Sequence, residues 1–162
     1  MSKLLPVHER PYRHGVGIVL FNPQGLVWVG RRNDVVQEAW QFPQGGVDKG
    51  ENPLEAALRE MEEEIGTNHA ELIAQSPDWI AYDLPADLAD RAWGGKYRGQ
   101  KQMWYAFRFL GSDADIVIET EHPEFVEWRW MPLVEVPGKI VEFKRDLYDR
   151  VASEFLPLVS QF

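Results

Sequence analysis

Clusters of apolar residues predict β-strands in the first part of the chain. Residues 15–21 form an apolar, partly β-branched run, and a second apolar segment follows at residues 26–32. The Asn-Pro-Gln-Gly sequence between the two segments is typical of a turn, so together they predict a β-hairpin. Residues 40–42 alternate between apolar and polar side chains and predict a short third strand before Pro43.

A helix with clear end signals follows a glycine-rich loop. The glycine pair at residues 45–46 frees the backbone for a tight turn. Asn52 is a suitable N-cap, Pro53 suits the first helical position, and Glu55 lies three residues after the cap. Gly66 is a suitable residue at which to end a helix. We therefore expect a helix from Pro53 to the residue before Gly66.

The second half of the chain predicts more strands and a terminal helix. The strands are expected at residues 72–76, 79–82, 102–110 and 126–130, with residues 115–118 as a weaker candidate. Apolar residues recur at three- and four-residue steps from Val136 to Phe155, which predicts one long amphipathic helix. Residues 84–99 are a candidate mobile loop. The fold class is therefore α/β, of the α+β type, with a mixed sheet.

Length and composition fit one globular domain over residues 1–162. Of these residues 44% are hydrophobic, enough to bury roughly two thirds of the unfolded surface. Apolar runs are shorter than the roughly 20 residues of a membrane span, and a secretory signal pattern is missing, so we expect a cytoplasmic monomer without membrane contact. With no cysteine in the chain, a metal ion would need oxygen or histidine ligands.

The charge of the chain is negative overall but unevenly distributed. A net charge of −9 argues against a protein that holds nucleic acid by broad electrostatic attraction. Scattered basic side chains that could converge on a phosphate chain are Arg31, Arg32, Lys96, Arg98, Lys101, Lys144 and Arg145. A basic cleft within an acidic protein is therefore compatible with the composition.

Three glutamates share one side of the predicted central helix. At 100° per residue, Glu60, Glu63 and Glu64 fall within an arc of about 100°, whereas Glu62 points the other way. A solvated acidic face is the usual explanation for such a cluster. Like charges at these spacings repel, however, and Arg59 supplies only one counter-charge. A hard cation such as Mg²⁺, which binds carboxylate oxygens and phosphates together, explains the cluster better.

A spaced set of glycines, acids and one arginine extends through the loop and the helix: Gly45, Glu51, Arg59, Glu60, Glu63, Glu64 and Gly66. At this spacing the set resembles the signature of the Nudix hydrolase family, Gly-x5-Glu-x7-Arg-Glu-U-x-Glu-Glu-x-Gly-U, in which U is a bulky apolar residue. Met61 occupies the first U position. Thr67 departs from the second, which concerns local packing and not chemistry.

The resemblance extends from about Tyr12 to Phe155. It includes Tyr12 with Arg13, residues 40–46, residues 99–102, and residues 123–125 together with 143–145. These stretches are similar to those of bacterial RNA pyrophosphohydrolases and the related dinucleoside polyphosphate hydrolases of the family. The resemblance implies a mixed β-sheet sandwiched between helices, with the signature forming a loop, a helix and a second loop.

The resemblance also implies roles for individual residues. The ligands of Mg²⁺, or of Mn²⁺ or another divalent cation in its place, would be Glu60, Glu63, Glu64, Glu124 and Gly45. Glu51 and Arg59 would support the signature loop. The substrate would contact Arg13, Arg32, Gln44, Gln100, Lys101, Val141, Phe143 and Lys144. Phe143 also fits the apolar stripe of the terminal helix, so a purely structural role is an alternative for it.

Hydrolysis of a phosphate chain needs metal ions that neutralise oxygens, a positioned water and a group that accepts its proton. Glu60 or Glu64 would be that catalytic group, and the sequence does not distinguish between them. Three functions stay open. They are removal of pyrophosphate from the 5′ end of triphosphorylated RNA, which is the leading expectation, cleavage of dinucleoside polyphosphates such as diadenosine tetraphosphate, and catalytically silent binding of a nucleotide or RNA. The intact acidic set favours a hydrolase.

Overall fold

Eight β-strands form one mixed sheet in the computed structural model, which describes residues 4–32 and 38–162. The strands are β1 (Tyr12–Phe21), β2 (Val27–Arg32), β3 (Trp40–Gln41), β4 (Gln44–Gly46), β5 (Ala70–Gln75), β6 (Ile80–Asp83), β7 (Gly99–Phe109) and β8 (Phe125–Met131). The helices are α1 (Pro53–Ile65), α2 (Ala86–Arg91) and α3 (Arg145–Phe155). None of the helices in these described ranges is long and apolar enough to cross a bilayer.

The parallel pair of β1 and β7 forms the centre of the sheet. Its register runs from Tyr12 opposite Gly99 to Phe21 opposite Arg108. The predicted turn after β1 is present, but β1 and β2 pair only at Phe21 and Val27, after which β2 runs antiparallel to β8. The predicted hairpin is therefore right in its turn and incomplete in its pairing. Because β2 diverges from β1, the edge of β1 opposite β7 pairs with β4 instead.

Both faces of the central strands are buried, which explains the uninterrupted apolar run in β1. Ile18 and Leu20 pack with Met61 of α1 on one face of the sheet. Val19 and Phe21 pack in a second cluster, together with Val151 of α3, on the other face. A strand covered on both sides needs apolar residues at every position and loses the alternation of a half-exposed strand. The expected mixed sheet between helices is confirmed.

Helix α1 begins and ends where the sequence predicts. The Asn52 side chain accepts a hydrogen bond from the backbone N–H of Leu54 at 2.8 Å, and Pro53 occupies the first turn. Gly66 ends the helix in a left-handed conformation with φ of 80°. Only a residue without a Cβ adopts this conformation at little cost. The buried face of the helix is wider than expected, because it includes Glu64.

The expected long terminal helix is wrong in its first half. Helix α3 begins only at Arg145, and two short 3-10 helices, Leu133–Gly138 and Glu142–Lys144, precede it. Pro137 lacks the backbone N–H that a continuous helix requires, and Gly138 follows it directly. Val136 is nevertheless buried in the same cluster as α3. The apolar spacing therefore indicated the residues that enter the core correctly, although their backbone is not one helix.

Two further expectations differ from the structure. Residues 115–118 form no strand: the 3-10 helix Asp113–Asp115 is followed by extended chain, in which the Val117 N–H donates to the Ile65 carbonyl at the end of α1. Residues 84–99 include α2 and a 3-10 turn at Ala92–Gly95 in place of an irregular loop. The strands expected at residues 72–76, 79–82, 102–110 and 126–130 correspond to β5, β6, β7 and β8.

Candidate active site

The acidic side chains of α1 differ strongly in exposure. Glu64 points toward the sheet and is 7% exposed, whereas the side chain of Glu63 is 58% exposed. Glu62 is also exposed, and its carboxylate accepts a hydrogen bond from the Asn68 side chain at 3.3 Å. The Glu64 carboxylate accepts a hydrogen bond from the backbone N–H of Gln44 in β4 at 3.2 Å. One edge of α1 therefore places acids against the loop of the signature.

Burial and mutual repulsion raise the pKa values of the two inward-facing acids. Burial raises the pKa of Glu64 well above its usual range, and the negative charges of Glu60 and Glu124 raise it further. Burial also raises the pKa of Glu60, against the opposing effect of Arg59. Glu124 comes from the segment just before β8, far along the chain from α1. The fold thus brings these three carboxylates close enough to repel one another.

A polar cavity of about 340 Å³, here called the acidic cavity, lies beside these carboxylates. Its lining residues are Arg13, Arg32, Gln41, Gln44, Gly45, Gly46, Glu60, Glu64, Trp93, Gln100 and Glu124. Gly45 is needed here for steric reasons, because a Cβ at this position would overlap the Glu60 carboxyl group. Glu63 does not line the acidic cavity, but it lines a neighbouring surface depression together with Glu60, Glu62, Glu64 and Glu124.

Arg59 links the helix to the signature loop. Its guanidinium donates to both carboxylate oxygens of Glu51 at 2.8 and 2.9 Å and to the Gly46 carbonyl at 2.9 Å. It also donates to Glu60 at 2.8 Å and to Glu63 at 3.2 Å. The hydrogen bonds from Arg59, together with one from the backbone N–H of Asp48, lower the pKa of Glu51 to about 2. The loop conformation and the position of Glu60 therefore depend on the same arginine.

The donor set fits a hard divalent cation. Glu60, Glu64 and Glu124 are carboxylates whose repulsion a cation would relieve, and such oxygen ligands are those that Mg²⁺ prefers. In the described part of the chain no three acidic or histidine side chains form a ready-made ligand cage. The hydrogen bonds explain this arrangement, because Arg59 holds Glu60 and Glu63 while Gln44 holds Glu64. Cation binding would require these carboxylates to exchange partners.

A second cavity of about 280 Å³, here called the apolar cavity, adjoins the acidic cavity. The residues that line both are Arg32, Gln41, Gln44, Trp93 and Gln100. Those that line only the apolar cavity are Ala39, Tyr82, Leu84, Leu88, Ala92, Val141, Phe143 and Lys144. The two cavities together form a continuous surface that is apolar at one end and acidic at the other.

Aromatic rings form the wall of the apolar cavity. The ring centroids of Tyr82 and Phe143 are 6.4 Å apart, and the Lys144 ammonium lies 5.6 Å from the centroid of Tyr82. The Tyr82 hydroxyl accepts a hydrogen bond from the Gln100 amide at 2.8 Å, and burial raises the pKa of Tyr82 to about 12. Phe143 belongs to the 3-10 helix before α3 and is half-buried against the core. It therefore faces the cavity while also contacting the core.

The basic residues expected near the site do not all converge. Arg32 and Lys144 line the cavities, and Arg32 also pairs with Glu124 at 3.7 Å. Lys101 lines neither cavity, because successive residues of β7 face opposite sides of the sheet and Gln100 occupies the cavity side. Three other candidate basic residues form ion pairs on the surface instead: Arg31 with Glu127, Arg98 with Asp83, and Arg145 with Asp149.

Two lining aromatics were missed by the sequence analysis. Tyr82 was placed only in a strand, although its alternation with exposed neighbours in β6 indicates an inward-facing side chain. Trp93 lies in the segment expected to be a loop, and its only sequence signal is a large aromatic residue followed by two glycines. Both residues come from outside the signature, where spacing gives no information about which side chains meet.

Comparison with known proteins identifies the family. The NUDIX domain model matches residues 11–151. The RNA pyrophosphohydrolase of Rhodospirillum rubrum is 55% identical over 144 residues, which cover 89% of this chain and 87% of that protein. The RNA pyrophosphohydrolase of Cereibacter sphaeroides is 52% identical over 159 residues, covering 97% and 98%. The chain belongs to the Nudix family, whose hydrolases use divalent metal ions.

Solved structures of distant relatives have the same fold. The dihydroneopterin triphosphate pyrophosphohydrolase of E. coli superposes with a TM-score of 0.66 at 17% identity, over 90% of this chain and 99% of that one. A binary complex of the C. elegans Ap4A hydrolase gives a TM-score of 0.63 at 19% identity, over 90% and 98%. At these identities the likeness establishes the Nudix fold and leaves the substrate to be argued from the site.

Proposed function

We propose that this enzyme removes pyrophosphate from the 5′ end of triphosphorylated RNA in the cytoplasm, acting as a Mg²⁺-dependent monomer. The observation that supports this function most strongly is the continuity of the acidic and apolar cavities. A nucleotide end has the same two parts, a phosphate chain that binds cations and a base that packs on aromatic rings. Relatives that are more than half identical in sequence act, by their names, on RNA.

Glu60, Glu63, Glu64, Glu124 and the Gly45 backbone are the proposed Mg²⁺ ligands, and Mn²⁺ or another divalent cation is proposed as a substitute. The cation supplies charge neutralisation for phosphate oxygens and positions a water. Glu64 is the better of the two candidate proton acceptors, because its carboxylate lies deepest in the acidic cavity and forms no ion pair with Arg59. Glu60 forms an ion pair with Arg59 at 2.8 Å, which opposes the rise in its pKa and occupies one of its carboxylate oxygens.

The phosphate chain is proposed to contact Arg13, Arg32, Gln44 and Gln100, which line the acidic cavity. Neighbouring side chains orient two of them: the Gln102 amide donates to the Gln44 side-chain oxygen at 3.1 Å, and the Gln100 amide donates to the Tyr82 hydroxyl at 2.8 Å. The base of the RNA end is proposed to pack in the apolar cavity on Val141 and Phe143, with Lys144 beside it. Lys101 has no place in this arrangement.

Glu51 and Arg59 are proposed to act indirectly. Arg59 connects Glu51, the Gly46 carbonyl and Glu60 through hydrogen bonds, so it fixes the distance between the loop and the helix. Catalytic groups need positions accurate to a fraction of an ångström, and a shift of about 1 Å can lower the rate about 100-fold. The pair therefore supports catalysis without contact with the substrate.

The test is release of pyrophosphate from RNA with a 5′ triphosphate, with and without Mg²⁺, beside diadenosine tetraphosphate at equal concentration. We expect Mg²⁺-dependent release from the RNA and much slower cleavage of the dinucleotide. A large preference for diadenosine tetraphosphate would show that dinucleoside polyphosphates are the main substrates. Absence of turnover on both substrates, with binding retained, would identify a catalytically silent binding module.

A further inference from the structure

Trp93 has an unusual backbone at the boundary between the two cavities. Among the described residues it is the only non-glycine with a positive φ, at 49°. It begins a run of left-handed residues that continues through Gly94 and Gly95, with φ of 69° and 72°. Glycine adopts this conformation freely, whereas a residue with a Cβ is strained in it. Strained residues persist where neighbouring structure or function over-determines them.

The Trp93 indole lies against the guanidinium of Arg13. The Arg13 Cζ is 4.9 Å from the ring centroid, and Trp93 lines both the acidic and the apolar cavity. The same guanidinium donates to the Gln100 side chain at 3.3 Å and crosses Gly46 so closely that a Cβ there would overlap it. Three neighbours therefore hold Arg13 at the rim of the acidic cavity.

The contacts of Arg13 determine how much of its positive charge is available to a substrate. No carboxylate pairs with Arg13 in the part of the chain that the structure describes. Arg59, by contrast, is surrounded by Glu51 and Glu60, so its charge is already balanced. An aromatic face attracts a guanidinium through its quadrupole and carries no net charge. The ring can therefore orient Arg13 without neutralising it.

We propose that Trp93 is a positioning residue that orients the Arg13 guanidinium toward the phosphate chain of the substrate. Fixing the long arginine side chain before binding removes an entropic cost that the ligand would otherwise have to overcome. The strained backbone places the indole where it contacts Arg13. The proposal depends on the proposed function insofar as Arg13 binds phosphates, and it concerns the strength of binding and not the chemical step.

A double-mutant cycle tests whether Trp93 acts through Arg13. The variants are Trp93→Ala, Arg13→Ala and the double substitution, and the measurement is calorimetric affinity for inorganic pyrophosphate in the presence of Mg²⁺. We expect Trp93→Ala to weaken binding about five-fold when Arg13 is present. In the Arg13→Ala background the same change should have less than about a two-fold effect. Equal loss in both backgrounds, or no loss in either, would overturn the proposal.

Conservative replacement and kinetics provide a second readout. Trp93→Phe keeps an aromatic face and should therefore retain most of the pyrophosphate affinity that Trp93→Ala loses. In RNA turnover, Trp93→Ala should have an increased KM and a nearly unchanged kcat. A Trp93→Phe variant as weak as Trp93→Ala, or a loss confined to kcat, would contradict a positioning role. Trp79 packs edge-on to His14 and lines neither cavity, so Trp79→Ala is the matched control and should leave pyrophosphate affinity unchanged.

The strain has its own test, which is independent of binding. A glycine at position 93 adopts the left-handed backbone without strain, whereas an alanine is strained in it, so Trp93→Gly should melt about 2 °C or more above Trp93→Ala. The reverse order would contradict the strained conformation on which the contact depends. If the unmodified enzyme bound pyrophosphate but released none from RNA, the proposed function would fail, while the double-mutant cycle would still decide the role of Trp93.

Discussion

The Glu64 carboxylate of α1 accepts its hydrogen bond from the backbone N–H of Gln44 in β4, 3.2 Å away. This bond fixes the most deeply buried acid of the helix to the strand that carries the signature glycines. It also leaves the rest of the carboxylate facing the acidic cavity. The position of Glu64 therefore combines a structural contact with a free face for chemistry.

Replacing Glu64 by glutamine should abolish turnover without unfolding the protein. A glutamine oxygen can still accept from Gln44, but the side chain neither binds a cation as a carboxylate does nor accepts a proton. We expect kcat to fall at least about 100-fold and the melting temperature to stay the same or rise, because a buried, repelled charge is removed. The measurement is RNA turnover at saturating Mg²⁺ beside a thermal melt.

Glu62→Gln is the control for this prediction, because Glu62 is an exposed acid of the same helix that lines neither cavity. Its turnover should equal that of the unmodified enzyme. Near-normal turnover of Glu64→Gln would show that the Glu64 carboxylate is not required for catalysis. A large decrease in the melting temperature of Glu64→Gln would instead show that the carboxylate is needed for folding.

A single methyl group at position 45 should also inactivate the enzyme. The Cβ of Gly45→Ala would overlap the Glu60 carboxyl group, which must then move. A displacement of about 1 Å predicts a loss of about 100-fold in kcat. Gly138→Ala is the matched control, since a Cβ at Gly138 meets no atom within 4 Å. Equal turnover in the two variants would show that the close packing of Gly45 on Glu60 has no functional role.

The contact of Glu51 with Arg59 should make stability depend on acid pH. Arg59, with a smaller contribution from the backbone N–H of Asp48, lowers the pKa of Glu51 from 4.5 to about 2, so the ionised carboxylate stabilises the folded state fully above pH 4.5. As the pH falls from 4.5 toward 2, Glu51 becomes protonated and this stabilisation disappears. We therefore expect the unmodified protein to melt several degrees above Glu51→Gln at pH 7, with a difference that shrinks below about pH 4.5.

The test is a series of thermal melts of both proteins between pH 7 and pH 3. Glu55→Gln, at an exposed position of the same helix, should differ from the unmodified protein by little at every pH. If the difference for Glu51→Gln were constant across the series, the ionised contact with Arg59 would not be its cause.

Lys144 should distinguish RNA from small substrates. Its ammonium lies beside Tyr82 at the edge of the apolar cavity, and the residue is 6% exposed, so methionine is the replacement that best keeps the packing. We expect Lys144→Met to raise KM for RNA about five-fold while cleavage of a small nucleoside polyphosphate changes little. Equal loss on both substrates would indicate a general phosphate contact, and no loss on either would remove Lys144 from the site.

Local sequence signals predicted the part of the site that local structure builds. The cap at Asn52, the stop at Gly66 and the helical spacing of Glu60 and Glu64 all depend on residues within a few turns of one another. The spacing also predicted that Glu62 points away from Glu60, Glu63 and Glu64; Glu62 is exposed and lines neither cavity, but it borders the same surface depression as those three acids. The resemblance to the Nudix signature, which belongs to the same segment, is confirmed by the family match over residues 11–151.

Long-range contacts explain what the sequence left undetermined. Glu124 reaches α1 only because β8 pairs with β2, and Trp93 reaches Arg13 only because β7 is parallel to β1. Neither pairing follows from spacing along the chain. Lys101 was expected at the substrate because residues 99–102 resemble the family, but the alternation of β7 turns its side chain to the opposite face. Register, and not composition, decides which of these neighbours enters the site.

We propose that a cation-dependent acidic cavity and a base-binding apolar cavity act together on one RNA end. The most direct measurement is the rate of pyrophosphate release from 5′-triphosphorylated RNA with Mg²⁺, with the ion removed by a chelator, and with Mg²⁺ restored. We predict release only when the ion is present, and full recovery when it is restored. Pyrophosphate release that continues without any divalent cation would contradict this proposal. So would the lack of any pyrophosphate release under all three conditions.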